Sequence, residues 1–133
     1  MKKAKTTGQL IKQLQPIFNA YIRERDKGQP CISCGAKNVE FDAGHFYAKS
    51  GYSGLRFDPD NTHAECRKCN RFDESHLIGY ADNLKKKLGA KKYNALKLKA
   101  QEYKENGVKW SRGELRELID IYKEKLAQLK QKS

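Results

Sequence analysis

Four cysteines constrain the fold of this 133-residue chain more than any other feature, because they form two closely spaced pairs. The pairs are Cys31-x-x-Cys34 and Cys66-x-x-Cys69, and no cysteine is left over. In structural sites, tetrahedral Zn²⁺ takes two thiolate ligands from each pair of this kind. The sequence therefore predicts one structural zinc ion, bound by Cys31, Cys34, Cys66 and Cys69.

The alternative is two pairs of redox-active or incidental thiols. No apolar signal-peptide segment follows the basic start of the chain, so we expect a location inside the cell, where disulfides seldom persist. The separation between Cys34 and Cys66 is longer than the roughly 15–20 residues that are usual in zinc ribbons. We therefore expect an inserted segment between the two pairs.

Basic residues dominate the charge of the chain. There are 28 Lys and Arg residues against 16 Asp and Glu residues, which gives a formal net charge of +12. This excess argues against an ordinary neutral metabolic enzyme and indicates a polyanionic partner, with nucleic acid favoured over a membrane surface. No run of about 18 apolar residues is present to span a bilayer. We expect a soluble cytoplasmic protein that binds nucleic acid, with no membrane and no small-molecule substrate.

The spacing of apolar residues predicts a single domain over residues 1–133, in three parts. Apolar residues at three- and four-residue steps predict an N-terminal helix over 8–29, which Pro16 either bends or divides. The zinc-binding core is predicted over 30–72 and a helical extension over 73–133, which serves DNA binding or dimerisation. The fold class is therefore α+β and mainly helical.

The predicted core contains few apolar residues, and glycines separate short β-like segments such as Val39–Phe41 and His45–Ala48. This pattern favours a hairpin. The extension contains three helical patterns, and the last begins with Ser111-Arg-Gly-Glu114, which fits a capping box. The charges of this last helix are nearly balanced, and its apolar stripe either packs on the core or pairs with a second copy of the chain.

Polar residues follow a fixed order around the cysteine pairs: Asp42 and His45, then Asn61, then Asn70 directly after the second pair. This order resembles that of the HNH, or His-Me finger, nucleases. The resemblance implies a zinc-bound HNH-type ββα-metal core, flanked by an N-terminal helix and C-terminal basic helices. It also implies an endodeoxyribonuclease that hydrolyses phosphodiester bonds with a catalytic Mg²⁺ or Mn²⁺ ion.

The HNH resemblance assigns a role to each of these residues. His45 is the general base, and Asn61 is the residue that braces the hairpin and orients that base. Asn70 holds the catalytic cation from the helix side. Many of these enzymes have an Asp or His directly before the base, but here that residue is Gly44, which has no side-chain ligand. Asp42 is therefore the expected cation ligand on the hairpin side.

Several segments also resemble the NinG (Rap) recombination proteins of lambdoid phages. The matching segments are Tyr21–Asp26, Pro30–Gly35, Ala43–Phe46, Leu55–Asp58, Asn61–His63, Glu65–Asn70 and Leu77–Tyr80. The resemblance implies a bacteriophage DNA recombination protein in the host bacterial cytoplasm. The implied activity is a structure-specific endonuclease that cleaves branched intermediates, such as Holliday junctions and D-loops. A symmetric four-way junction would suit a homodimer with two active sites.

A non-catalytic zinc-finger DNA-binding protein is the alternative function. On that interpretation His45 is a surface or zinc-adjacent histidine, Asn70 caps a helix and Asp42 lies in a turn. We expect His63 to pack or to contact phosphate rather than to bind metal. His76 lies near a helix start, and we expect it to be structural or exposed.

Lysine and arginine residues indicate where DNA would bind. One group follows the second cysteine pair and is expected to position the scissile strand: Arg67, Lys68 and Arg71. The other group lies on the two middle helices, where acidic residues are few: Lys85, Lys86, Lys87, Lys91 and Lys92. A solvated charged face is the alternative, but such a strong excess of one sign favours a phosphate-binding surface.

Overall fold

A computed structural model describes residues 3–73 and 75–132 of the chain. Helices and strands follow in the order α1 (Thr7–Arg25), β1 (Phe41–His45), β2 (Thr62–Cys66), α2 (Arg67–Phe72), α3 (His76–Leu88), α4 (Ala90–Asn106) and α5 (Arg112–Lys132). Two short 3₁₀ turns, Ser53–Leu55 and Pro59–Asn61, lie in the loop between the strands. The prediction of a mainly helical α+β chain is confirmed.

Helix α1 begins with a capping box of Thr6 and Gln9, which was not predicted. The backbone N–H of Gln9 donates to Thr6 Oγ1 at 3.1 Å, and the Thr6 N–H donates to Gln9 Oε1 at 2.9 Å. Pro16 lies inside α1 and does not divide it. The helix ends at Arg25 rather than at residue 29, because Asp26 caps it and the chain then turns through Gly28, whose φ is 86°.

The two strands form an antiparallel sheet in which Phe41 pairs with Cys66 and His45 pairs with Thr62. The predicted β-like segments were Val39–Phe41 and His45–Ala48. Each of them shares only one residue with the observed strand β1. Pairing stops after His45 because Asn61 bonds to the next two residues: its carbonyl accepts from the Phe46 N–H, and its side chain accepts from the Tyr47 N–H.

Two apolar clusters lie on the two sides of this sheet region. In the first, α1 packs on α5 and on Phe57. The apolar stripe of α5 is therefore buried within the same chain, through Leu115, Ile119 and Tyr122. In the second, α3 and α4 pack around Leu55. None of the described helices is long and apolar enough to cross a membrane.

A buried polar network connects α1, β2 and α3. Arg25 donates to the Thr62 carbonyl at 2.8 Å, and its Nη2 lies 3.1 Å from His63 Nδ1. Asp26 accepts from the Ala64 N–H at 2.9 Å and lies 3.2 Å from the Lys87 ammonium. Burial opposes ionisation of Asp26, but the Arg25 contact outweighs it and lowers the pKa of Asp26 to about 2.

We expect the free energy of unfolding of the Asp26→Asn variant to fall less at low pH than that of the wild type. The pKa of Asp26 is lower in the folded chain than its ordinary value of 3.8. Its ionised form therefore stabilises the fold above about pH 4, and this stabilisation is lost as the pH falls toward about 2. Urea unfolding at a series of pH values should show the wild type losing about 2 kcal/mol more than the variant. Equal losses in the two proteins would contradict this prediction.

Candidate functional site

The four cysteine sulfurs converge in one cluster, in which all four lie within 4.8 Å of one another. The sulfurs of Cys34 and Cys66 are 3.7 Å apart. Four sulfurs about 2.3 Å from a shared zinc ion would be separated by roughly 3.8 Å, so the cluster has the size of a tetrahedral site. Backbone N–H groups of Ser33, Cys34 and Cys66 point at Cys31 Sγ, at 3.4, 3.4 and 3.2 Å. The cluster can therefore bind a structural metal ion such as zinc.

This cluster joins three separate parts of the chain. Cys31 and Cys34 lie in the turn that follows α1, Cys66 is the last residue of β2, and Cys69 lies in α2. Burial raises the pKa of the Cys69 thiol, and the neighbouring sulfurs raise it further. A bound cation would favour the thiolate form, which is the form that binds metal.

Next to the cysteine cluster, Asp42 of β1 contacts α2. Its carboxylate accepts from Asn70 Nδ2 at 2.9 Å and makes two bonds with Arg71, at 2.9 and 3.0 Å. Burial opposes ionisation of Asp42, but the bonds from Asn70 and Arg71 lower its pKa below the ordinary value. Because Asn70 donates through Nδ2, its Oδ1 remains as the acceptor atom. The structure thus brings together the two residues predicted to share a cation.

His45 ends β1 and lies beside α1, with its ring centre 6.5 Å from that of Phe18. Its Nε2 is 2.8 Å from the carbonyl oxygen of Arg56. A carbonyl oxygen only accepts, so Nε2 carries the proton and Nδ1 carries the lone pair. Burial lowers the pKa of His45 to about 4. The imidazole is therefore neutral at pH 7 and can accept a proton at Nδ1.

The structure does not place His45 in contact with the Asp42–Asn70 pair. Successive side chains of a strand point to opposite faces, and Asp42 and His45 are three residues apart. Asp42 accordingly faces α2, whereas His45 faces α1. Among the described residues, no hydrogen bond joins His45 to either member of the pair.

Asn61 is fully buried and holds the loop between the strands. Its Nδ2 donates to the carbonyls of Tyr47 at 3.1 Å and Leu55 at 3.3 Å, and its Oδ1 accepts from the Tyr47 N–H at 2.9 Å. Leu55 directly precedes Arg56, whose carbonyl binds His45. Asn61 therefore fixes the loop segment that orients the His45 ring.

His63 and the predicted DNA-binding residues differ in exposure. His63 is 2% exposed, which places it in the packed interior. Among the predicted DNA-binding lysines of α3 and α4, Lys85, Lys86, Lys91 and Lys92 are exposed. Lys87 is also exposed, but its ammonium group lies 3.2 Å from the buried carboxylate of Asp26. On α2, Lys68 is exposed, Arg67 pairs with Glu40, and Arg71 pairs with Asp42.

Glu65, which was not among the predicted site residues, has a fully buried side chain. Its Oε2 accepts from Ser33 Oγ and lies 2.6 Å from His76 Nδ1. Among the described residues, Glu65 Oε1 has no hydrogen-bond partner. A Cβ atom at Gly44 would collide with this same oxygen. An acidic residue between His63 and Cys66, in a strand adjoining a cysteine pair, is the sequence signal that could have singled it out.

A family model described as "Bacteriophage Lambda NinG protein" matches residues 1–132 of the chain. The chain belongs to the NinG family. "Protein ninG" of Escherichia phage 933W is 36% identical over 121 residues, which cover 90% of this chain and 58% of that protein. The proteins of the same name from Escherichia phage lambda and Salmonella phage P22 are each 34% identical over 121 residues, covering 90% of this chain and 57% of theirs.

The chain thus spans a little under three fifths of the length of these NinG relatives. The NinG family match includes both cysteine pairs and the residues between them. No solved structure gives a significant match to the chain.

We expect this NinG chain to bind one zinc ion through its cysteine cluster, and the Cys69→Ser variant to lose it. Replacing one thiolate leaves three sulfur ligands and removes the contact between α2 and the turn after α1, so the melting temperature should also fall. Elemental analysis of the purified proteins and a thermal melt measure the two effects. A matched Ser53→Ala variant, which also alters one small polar side chain, should keep its zinc. A wild-type chain that contains no zinc and takes up no Co²⁺ would contradict the prediction.

Proposed function

We propose that this chain is a metal-dependent endonuclease of the HNH type, which hydrolyses phosphodiester bonds in branched DNA such as Holliday junctions and D-loops. The observation that carries the proposal is the Asn70–Asp42 contact, which joins α2, the helix that contains Cys69, to the hairpin. The order β1, β2, α2 beside the cysteine cluster is the order of a ββα core. His45, at the end of β1, is a neutral imidazole with Nδ1 available.

In this proposal, His45 is the general base. Its Nδ1 takes a proton from the water that attacks phosphorus, while the Arg56 carbonyl holds the protonated Nε2 in place. Asn61 keeps the Arg56 loop segment in position. Zn²⁺ on the four cysteines would have a structural role, because it would hold α2 against the hairpin.

Asn70 and Asp42 would hold a Mg²⁺ or Mn²⁺ ion. Such an ion supplies stabilisation of negative charge on the phosphate and on the leaving oxygen. Oxygen ligands of this kind suit both ions. Arg71, which binds the Asp42 carboxylate from α2, would bring paired N–H groups suited to a DNA phosphate next to this ion.

The exposed lysines of α3 and α4 supply the DNA-binding surface in this proposal. They bring positive charge with few acidic neighbours, which is the electrostatic pattern of a phosphate-binding surface. Lys87 contributes less, because its ammonium group is bound to Asp26. A homodimer would place two such surfaces on a symmetric junction.

A non-catalytic zinc-finger DNA-binding protein is the second candidate function. Two observations favour it: Arg71 and Asn70 already bind the Asp42 carboxylate, and His45 faces α1, away from that pair. In that case Asp42 joins β1 to α2, and His45 is a buried structural histidine.

We expect the His45→Ala variant to lose cleavage of a four-way junction by a factor of about 100 or more, because it removes the general base. Zinc content and junction affinity should be nearly unchanged. Because burial lowers the pKa of His45 to about 4, the wild-type rate should show no loss through protonation of this group from pH 8 down to about 5. Gel-based cleavage of a junction, a D-loop, a flap and a linear duplex with Mg²⁺ or Mn²⁺ measures these effects.

The exposed Asp82→Asn variant is the control, and it should cleave like the wild type. If the wild type binds the four substrates but cuts none of them, the zinc-finger function replaces the nuclease. If His45→Ala cuts as fast as the wild type, His45 is not the base.

We expect the double variant Lys91→Ala, Lys92→Ala to bind DNA more weakly and with a smaller salt dependence. Each lost phosphate contact should lower the slope of log K against log salt by about 0.9. Fluorescence anisotropy at several salt concentrations gives this slope. The double variant Lys123→Ala, Lys125→Ala on α5 has the same charge change and should leave the slope unchanged. Equal slopes for the wild type and the α4 variant would contradict the proposed surface.

A further inference from the structure

His76, the first residue of α3, is joined to the buried carboxylate of Glu65 on β2. His76 Nδ1 lies 2.6 Å from Glu65 Oε2, which also accepts from the hydroxyl of Ser33. An ionised carboxylate only accepts hydrogen bonds, so Nδ1 carries a proton. The remaining ring nitrogen, Nε2, is at the opposite end of the imidazole from this contact.

The environment of Glu65 is unusual for a purely structural contact. The carboxylate is fully buried, and within the described part of the chain its Oε1 has no partner. Burying a charged group is costly, and an apolar pair would hold α3 to the hairpin at least as well. A buried carboxylate behind a histidine is, however, the arrangement that orients metal-binding imidazoles.

Gly44 explains how this carboxylate fits against the hairpin. A side chain at residue 44 would collide with Glu65 Oε1 and Cβ. Glu65 therefore fills, from β2, the space beside β1 that a side chain preceding His45 would occupy. Tyr80 of α3 also donates to the Gly44 carbonyl, at 2.6 Å, which fixes α3 against the same segment.

On its exposed side, His76 lines a cavity of about 520 Å³ together with Asn70, Arg71, Phe72 and Asp73. Asn70 uses Nδ2 to donate to Asp42, so its Oδ1 is the available oxygen. Within the described part of the chain, Asp73 is bound by Ser75 through Oδ1 only. The cavity thus adjoins one imidazole and two oxygen-bearing side chains.

We propose that His76 supplies a nitrogen ligand, through Nε2, to a divalent cation shared with Asn70, and that Glu65 orients the imidazole as its positioning residue. The proposal deepens the nuclease function and rests on it for what the cation does. An imidazole ligand favours Mn²⁺ and later transition metals over Mg²⁺. The site therefore takes Mn²⁺ in preference to Mg²⁺.

The first test measures Mn²⁺ binding to the zinc-loaded full chain, without DNA, from the EPR signal of free Mn²⁺. In the His76→Asn variant, the amide nitrogen can still donate to Glu65, but Nε2 is gone. Its affinity should fall about 10-fold or more, and that of Glu65→Gln by about 10- to 100-fold. The Asp82→Asn control has the same charge change as Glu65→Gln, on an exposed surface of α3, and should bind Mn²⁺ like the wild type. Unchanged affinity in His76→Asn would overturn the proposal.

The second test uses only the wild type, and so does not depend on whether a variant folds. The chain has three histidines, and ¹H–¹⁵N imidazole spectra distinguish their tautomers. His45 and His63 should carry the proton on Nε2, because each Nε2 contacts a carbonyl oxygen, whereas His76 should carry it on Nδ1. Added Mn²⁺ should broaden the His76 resonances first. Broadening that begins at His45 or His63, or that never occurs, would overturn the proposal.

These outcomes separate the cation site from the nuclease function. Mn²⁺ binding at His76 in a chain that cuts no DNA supports the site and contradicts the nuclease. If the His76→Asn variant binds Mn²⁺ as tightly as the wild type and cuts DNA at the wild-type rate, the nuclease function is supported and the cation site is overturned.

Discussion

The convergence of four cysteine sulfurs is the constraint on which the rest of the site depends. The two strands beside it have five residues each, and an isolated two-stranded sheet is only marginally stable in water. A metal ion bound to the cluster would fix the turn after α1, the end of β2 and the start of α2 at one point. Asn70 directly follows one of these cysteines and Glu65 directly precedes another, so both residues are positioned by the cluster.

The three histidines differ in how many ring nitrogens the fold uses. Both nitrogens of His63 are bound, to Arg25 and to the Asp60 carbonyl, which leaves it a structural role. In the part of the chain that the structure describes, His45 and His76 each have one bound nitrogen and one that remains available. One bound nitrogen fixes the tautomer and the ring orientation, which is what a base or a metal ligand requires. Among the described residues, His63 is therefore a packing residue, whereas His45 and His76 each keep one ring nitrogen available for a further contact.

Local patterns predicted much of the fold, but contacts distant in sequence were not predictable. The three C-terminal helices and the Ser111–Glu114 capping box are confirmed, because apolar spacing and capping are local signals. The strand bounds were displaced, because they depend on the Asn61 side chain across the loop. Lys87 was grouped with the surface lysines, although it reaches Asp26 from a different part of the chain. The Glu65–His76 contact depends on strand register and on the position of α3, neither of which the sequence displays.

The dependence of the site on the cysteine cluster is tested most directly by hydrogen exchange of the backbone amides. The exchange is measured with zinc bound to the cluster and again after a chelator has removed the zinc. We predict that zinc removal abolishes protection in β2 and α2, including Asn70, while the α1–α5 pair keeps most of its protection, because that pair has its own apolar core. Unchanged protection of β2 and α2 after zinc removal would contradict the account.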